Sequence, residues 1–213
     1  MFPYIILIVI PFLIALDEAL TRKGKSQIIV GLIFSIFVLI VGLTDGNGLD
    51  WYGTSTTEGY GLIDYRAEGF DNLNRFEPGF VLVNIILGDF HLFLFVISVI
   101  CFLLVWKVIK YECKYKYIGL FVFLSTMSLY CYMGVYRHAI AQTLVIYSWL
   151  FIDKPKKQLF FILLAITFHY SAFICLLYLV ISKIGKVLSL KLILCIVLIG
   201  ILAVSYTHLT LPT

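Results

Sequence analysis

Charge is scarce in this sequence of 213 residues. Asp, Glu, Lys and Arg make up 13% of it, and hydrophobic residues make up 62%. A soluble domain carries about a quarter charged and about half apolar residues. A soluble core of this size has no room for so much apolar surface, so the class is a polytopic membrane protein. The basic residues are dispersed between apolar runs rather than gathered into a patch. The net charge of +4 is therefore no sign of nucleic-acid binding. Paired cysteines are lacking: Cys101, Cys113, Cys131, Cys175 and Cys195 show no paired spacing and no CxxC. That suggests neither a disulfide framework nor a metal site, and the cysteines read as small apolar residues of helices. The start, Met1-Phe2-Pro3-Tyr4-Ile5-Ile6, has no basic n-region and no small-residue cleavage site after it. It reads as a first membrane helix rather than a removable signal peptide.

What is present is a series of apolar runs. A spanning helix needs roughly twenty apolar residues. The runs are 2–16 (extending through 20), 28–43, 90–106, 117–135, 136–152 and a last one beginning over 192–204. Residues 159–182 read either as one span or as two short helices broken at His169-Tyr170-Ser171. Lysine placement favours the hairpin. Arg22, Lys23 and Lys25, then Lys107, Lys110, Lys114 and Lys116, then Lys154, Lys156 and Lys157 fall in alternate loops. The positive-inside rule makes that side cytoplasmic and the N-terminus outside. The hairpin adds Lys183, Lys186 and Lys191 to the same side. A break at membrane depth is tolerable where it lines protein or a wet cavity.

On this map Arg66, Arg75 and Arg137 are the Lys or Arg residues left outside. Lysine is a simple positive charge, whereas arginine is a planar fork matched to phosphate and carboxylate. The outer loop, 44–89, is rich in Gly, acids and aromatics: Gly48-Leu49-Asp50-Trp51-Tyr52, Asp64-Tyr65-Arg66 and Arg75-Phe76-Glu77-Pro78-Gly79-Phe80. Rings stack on the apolar face of a sugar and carboxylates accept its hydroxyl protons. An interfacial aromatic belt with a solvated acidic loop has the same composition. Pro78 is placed to open a short interfacial helix over 79–87. In Tyr136-Arg137-His138-Ala139-Ile140-Ala141-Gln142, ionisable groups stand where two apolar runs meet, and such groups are costly in a membrane. No residue next to Arg137 is acidic, so its counter-anion comes from elsewhere in the fold or from a ligand. The tail 205–213, Ser205-Tyr206-Thr207-His208-Leu209-Thr210-Leu211-Pro212-Thr213, breaks the pattern and looks like adapter read-through. It is set aside, His208 included, which leaves 1–204 as a single transmembrane domain expected to be incomplete.

Gly48-Leu49-Asp50-Trp51-Tyr52, Glu77-Pro78-Gly79-Phe80, Tyr136-Arg137-His138-Ala139-Ile140-Ala141 and Phe168-His169-Tyr170-Ser171-Ala172, in that order and rough spacing, resemble the EpsG family of Wzy-like polymerases. The departures are Leu43-Thr44-Asp45-Gly46-Asn47, where family members carry a polar or basic residue before the G-x-D piece, and His138 in place of the commoner Gln. Family members are longer, so this chain resembles their N-terminal part and is expected to be inactive alone. The resemblance implies an all-α, GT-C-like polytopic bundle, truncated at the C-terminus, in the bacterial inner membrane. It implies a polymerase of exopolysaccharide, capsule or O-antigen. Such an enzyme transfers glycan from an undecaprenyl-diphosphate-linked donor to an acceptor hydroxyl at the outer face, with a chain-length regulator protein as a candidate partner and no cofactor.

Under that resemblance Arg137 would hold the diphosphate, with His138, Gln142, Trp51, Tyr52, Glu77 and Arg75 also binding substrate. His169 or Asp50 would act as base, since a histidine changes charge near neutral pH and carboxylates also serve; Asp64 and Glu77 are alternatives. No DxD pair stands in the outer loop, in keeping with arginines rather than a metal neutralising the diphosphate. Each residue has a plainer reading. Arg137 can snorkel, His138 can hydrogen-bond within the bundle, His169 can cap a broken helix, and Glu77 can start one. Two other functions fit a multi-span chain, a transporter of lipid-linked glycan or small molecules and a polysaccharide O-acetyltransferase. A transporter would more often show an internal repeat, and none is present.

Overall fold

The computed structural model describes residues 2–21, 27–44, 53–54, 57–58, 69–74, 76–133, 135–177 and 179. The chain divides into two compact units, Met1–Phe173 and Ile174–Thr213. Of the second unit, 174–177 and 179 are helical. Among the described residues of the first unit the α-helices are α1 (Phe2–Thr21), α2 (Gln27–Gly42), α3 (Pro78–Leu87), α4 (Phe90–Glu112), α5 (Lys116–Met133), α6 (Tyr136–Ser148) and α7 (Pro155–Phe168). The described residues of the 44–89 loop add a 3-10 turn, Gly69–Asn74, and a two-residue antiparallel ladder, β1 (Gly53–Thr54) with β2 (Thr57–Glu58), pairing Gly53 with Glu58 and Thr54 with Thr57. The ladder is a small exception to the helical expectation, and the all-α class holds.

The apolar runs of the sequence become helices with close to the expected bounds. One boundary differs: the basic stretch 107–116 is largely not a loop. Helix α4 continues through Lys107 and Lys110 to Glu112, leaving Cys113–Tyr115 as the connection. Lysine is a good helix former and its long stem lets the head reach water while the backbone stays helical. Helix α4, with 23 residues, is the one described helix long and apolar enough to cross a membrane on its own; 28–42, 78–87 and 116–127 are shorter apolar helices. Large apolar side chains face outward along the helices, such as Leu20, Ile28 and Ile86, as a lipid-facing surface requires and a water-facing one avoids.

Ring contacts and hydrogen bonds fix how the helices run. The start of α6 meets the start of α4 through Tyr136 and Phe90, with ring centroids 5.9 Å apart. Their far ends meet where Lys107 Nζ donates to the Tyr147 hydroxyl at 3.2 Å. These two helices are therefore parallel. Helix α2 runs against α4, since Gly42 O at its end lies 3.3 Å from His91 Nδ1 at the start of α4. Phe34 and Phe37 of α2 pack on Phe102 of α4, and Phe102 packs on Phe123 of α5. Helix α1 ends where α5 begins: the buried Glu18 carboxylate accepts from the Tyr117 and Ile118 backbone N–H groups at 2.8 and 3.3 Å. These are orphan donors of a helix N-terminus, and a carboxylate there is also favoured by the helix dipole. Helix α7 runs back along α6, with Phe161 packed on Tyr147 and Phe151. The alternation brings the starts of α3, α4 and α6 and the end of α7 to one end of the unit.

Candidate functional site

At that end three chain segments meet on one carboxylate. Glu77 is the residue before α3, with extended backbone (φ −67°, ψ 145°), and Pro78 opens the helix. Its side chain makes no capping bond to α3 and turns to two other helices. Oε2 accepts from Arg137 Nη1 at 2.5 Å, and Oε1 lies 2.9 Å from His169 Nδ1 and 3.4 Å from the Tyr170 backbone N–H. The anion that the sequence could not find next to Arg137 comes from sixty residues away in the same fold.

Each arm is set by its local backbone. Arg137 sits in the first turn of α6, the end where a helix dipole disfavours a cation. It is therefore not there to support its own helix. Its guanidinium carbon lies 5.4 Å from the Phe76 ring centroid, a cation–π contact. His169 follows the last residue of α7. Its backbone is extended (φ −159°, ψ 123°) and its N–H donates to Ala165 O at 3.0 Å. A 3-10 turn, Tyr170–Phe173, follows. The break expected at His169-Tyr170-Ser171 is thus present, and the return arm of the expected hairpin lies largely outside the described residues.

Gly79 explains how Glu77 comes within reach of His169. A Cβ placed on it would stand 2.9 Å from Thr167 Cβ and 2.9 Å from Thr167 O, with the Thr167 hydroxyl closer still. Only a hydrogen there lets the first turn of α3 press on the last turn of α7. Thr167 in turn is held by its hydroxyl donating to Leu164 O at 2.7 Å. The other end of α3 closes with Gly88 in the left-handed region (φ 68°), where a residue without Cβ is favoured.

The electrostatics follow from the contacts. Glu77 is 3% exposed, whereas Arg137 and His169 keep 22% and 29% of their side-chain surface. Burial pushes the Glu77 carboxyl up. The His169 hydrogen bond and the Arg137 charge and hydrogen bond outweigh that and hold it at about 2. Glu77 is therefore an ionised acceptor at neutral pH. A carboxylate held that low is a weak base, so its sequence-based alternative as the base loses ground. An acceptor-only carboxylate needs a donor opposite it, so His169 Nδ1 carries a proton and donates to Glu77.

His138, one residue on from Arg137, has its ring 5.1 Å from that of His169 at 74°, and Ser171 Oγ lies 3.4 Å from His138 Nδ1. Gln142, one turn further along α6, lies away from this cluster on a cavity wall. Glu77, Arg137, His138 and His169 are thus brought together. Asp50, Trp51, Tyr52 and Arg75 lie outside the described residues, as do Asp64 and Arg66. Sequence reasoning missed Phe76, Thr167 and Ser171 as neighbours. The signal for Thr167 was the Pro-Gly pair after an acid, which marks a helix start that needs close approach. Among the described residues no group of three His, Cys, Asp or Glu side chains could hold a metal ion.

No curated protein and no solved structure matches the chain. The EpsG family profile matches residues 27–212 and so spans Glu77, Arg137 and His169. The chain belongs to the EpsG family of Wzy-like polysaccharide polymerases and is a membrane protein of polysaccharide biosynthesis.

Proposed function

We propose that the chain acts in a polymerase that joins lipid-linked repeat units at the outer face of the bacterial cytoplasmic membrane. The observation that carries this is the convergence of Arg137 and His169 on Glu77. Arg137 receives the diphosphate of an undecaprenyl-diphosphate-linked glycan. Its guanidinium is reachable, being 22% exposed. It stands at the start of α6, which has no side-chain cap, and an uncapped helix start favours an anion as the guanidinium does.

His169 serves as the base. Its Nε2 takes the proton from the acceptor hydroxyl while Glu77 holds Nδ1–H. The acceptor oxygen bonds to the anomeric carbon, the bond from that carbon to the diphosphate oxygen breaks, and the electron pair leaves with the diphosphate. Arg137 stabilises the charge as it develops. This needs no metal in the step. Asp50, Trp51, Tyr52 and Arg75 hold the glycan from the outer loop, a role resting on their sequence pattern. The lysine asymmetry and the alternating helix directions support a multi-pass topology with the N-terminus outside.

Polymer formation by the full-length protein at matched expression tests the assignment. Arg137→Ala and Arg137→Lys are both expected to lose polymer, because lysine keeps the charge and loses the fork. Wild-type polymer from Arg137→Ala would reduce Arg137 to a snorkelling anchor, and activity in Arg137→Lys alone would mean that charge suffices.

A further inference from the structure

Between α4, α5 and α6 lies a cavity of about 330 Å³, walled by apolar side chains such as Val105, Val122, Phe123 and Met127. Its direction is set by the helices. At one end stands Gln142, four residues from His138 and so about 6 Å along α6. At the other stand Cys113 and Gly119, where α4 gives way to α5. That end is closely packed: a Cβ on Gly119 would meet Cys113 Sγ at 3.0 Å. The cavity thus begins one helical turn below the polar cluster and runs along the helix axes away from it.

Gln142 Oε1 is buried and has no hydrogen-bond partner. A buried amide oxygen left so is costly, and an amide can turn to present either its oxygen or its nitrogen. The amide therefore marks the point where a polar group of a ligand is wanted, and the apolar walls beyond it mark where hydrocarbon is wanted. The lining also holds Thr143, next to Gln142, and Thr126, whose hydroxyl donates to Val122 O at 2.9 Å; the apolar remainder suits hydrocarbon.

We infer that this cavity holds the first part of the hydrocarbon tail of the lipid-linked substrate, with Gln142 at the junction of head and tail. The inference rests on the reading of Arg137 and His169 as the head-group site and adds the place of the tail. A polar head at the Glu77 cluster and a chain descending between α4, α5 and α6 would lie along one line on α6, from His138 past Gln142 to Ile146.

The test is photolabelling of the full-length protein in vesicles with a polyprenyl diphosphate carrying a diazirine near its diphosphate end. A diazirine-bearing phosphatidylglycerol serves as comparator. Label from the polyprenyl probe is expected on residues 105–113, 119–127 and 142–146. Unlabelled polyprenyl diphosphate should compete it away and phosphatidylglycerol should not. Thr126→Trp and Val122→Trp, which fill the cavity, should each cut labelling about tenfold, and the second variant keeps the test valid if the first fails to fold.

Equal labelling by the two probes, or label undiminished in a folded Trp variant, would overturn the inference by showing bulk lipid there. A disulfide formed between cysteines placed at Thr126 and in 192–204 would overturn it by showing that the chain fills its own cavity. Failure of the head-group reading looks different: Arg137→Ala would make full polymer while cavity labelling and its competition stayed as in wild type.

Discussion

The two buried glutamates of this molecule make a useful pair. Glu18 and Glu77 are 5% and 3% exposed, and each accepts from groups far away in sequence. Glu18 is satisfied by two backbone N–H groups at the start of α5. These donors cannot titrate or leave while the helix exists. Glu77 is held by two side chains, Arg137 and His169, each of which keeps part of its surface open to a ligand. The first arrangement joins helices. The second, on the proposed reading, holds groups for a substrate at their ends. Burial of a carboxylate says little about its role, and the partners decide it.

Removing the two carboxylates should separate these roles. Glu77→Gln keeps the size of the side chain and loses the charge that accepts from His169 and pairs with Arg137. Polymer formation per folded molecule is expected to fall on the order of 10²-fold or more, the scale of a positioned acid–base group. Glu18→Gln is expected to leave that figure unchanged and to lower stability by about 1–3 kcal/mol, the scale of hydrogen bonds made by a charged group. Equal activity losses at matched folding would show that the two glutamates do not differ in kind.

Two glycines extend the comparison to the backbone. Gly79 has Thr167 against it, and Gly31 in α2 has nothing within 4 Å of where a Cβ would go. Gly79→Ala is expected to push α3 from α7, part Glu77 from His169, and cost about 1–3 kcal/mol as overpacking does. Gly31→Ala is expected to stabilise by about 0.5–1 kcal/mol, the helix propensity difference. Unfolding of the purified variants measures both. A harmless Gly79→Ala would mean that Glu77 does not depend on the close approach of α3 to α7.

The same contrast bears on what the sequence could show. The helices were legible because apolar length decides them: 90–106 and 117–135 are visible as runs. The end of α4 was less legible, because lysines read as loop when their charge is weighed without their helix propensity. Within the site, Arg137 and His169 were legible as ionisable groups at breaks in apolar runs. Their common partner was not. Glu77 lies 60 residues from one and 92 from the other, and the approach depends on α3 lying against α7 at Gly79. Pairing at such separation is a product of helix packing, which local pattern does not encode. Glu18 was invisible for the same reason, 99 residues from its donor.

The smallest expected effect is with acid. The Glu77 carboxyl is held at about 2 against an ordinary 4.5. A depressed value in the folded protein means that the ionised form supports folding. That contribution is complete above about pH 4.5, falls as pH drops below it, and is gone below about 2. Wild type and Glu77→Gln should therefore differ in unfolding by a constant amount from pH 7 to pH 5, and the difference should close only in stronger acid. Glu77 would then stay ionised through any mild acidification. Loss of activity between pH 7 and pH 5 would be assigned to a group other than Glu77. If the stability difference already closes above pH 5, Glu77 is not held by Arg137 and His169 as the geometry describes.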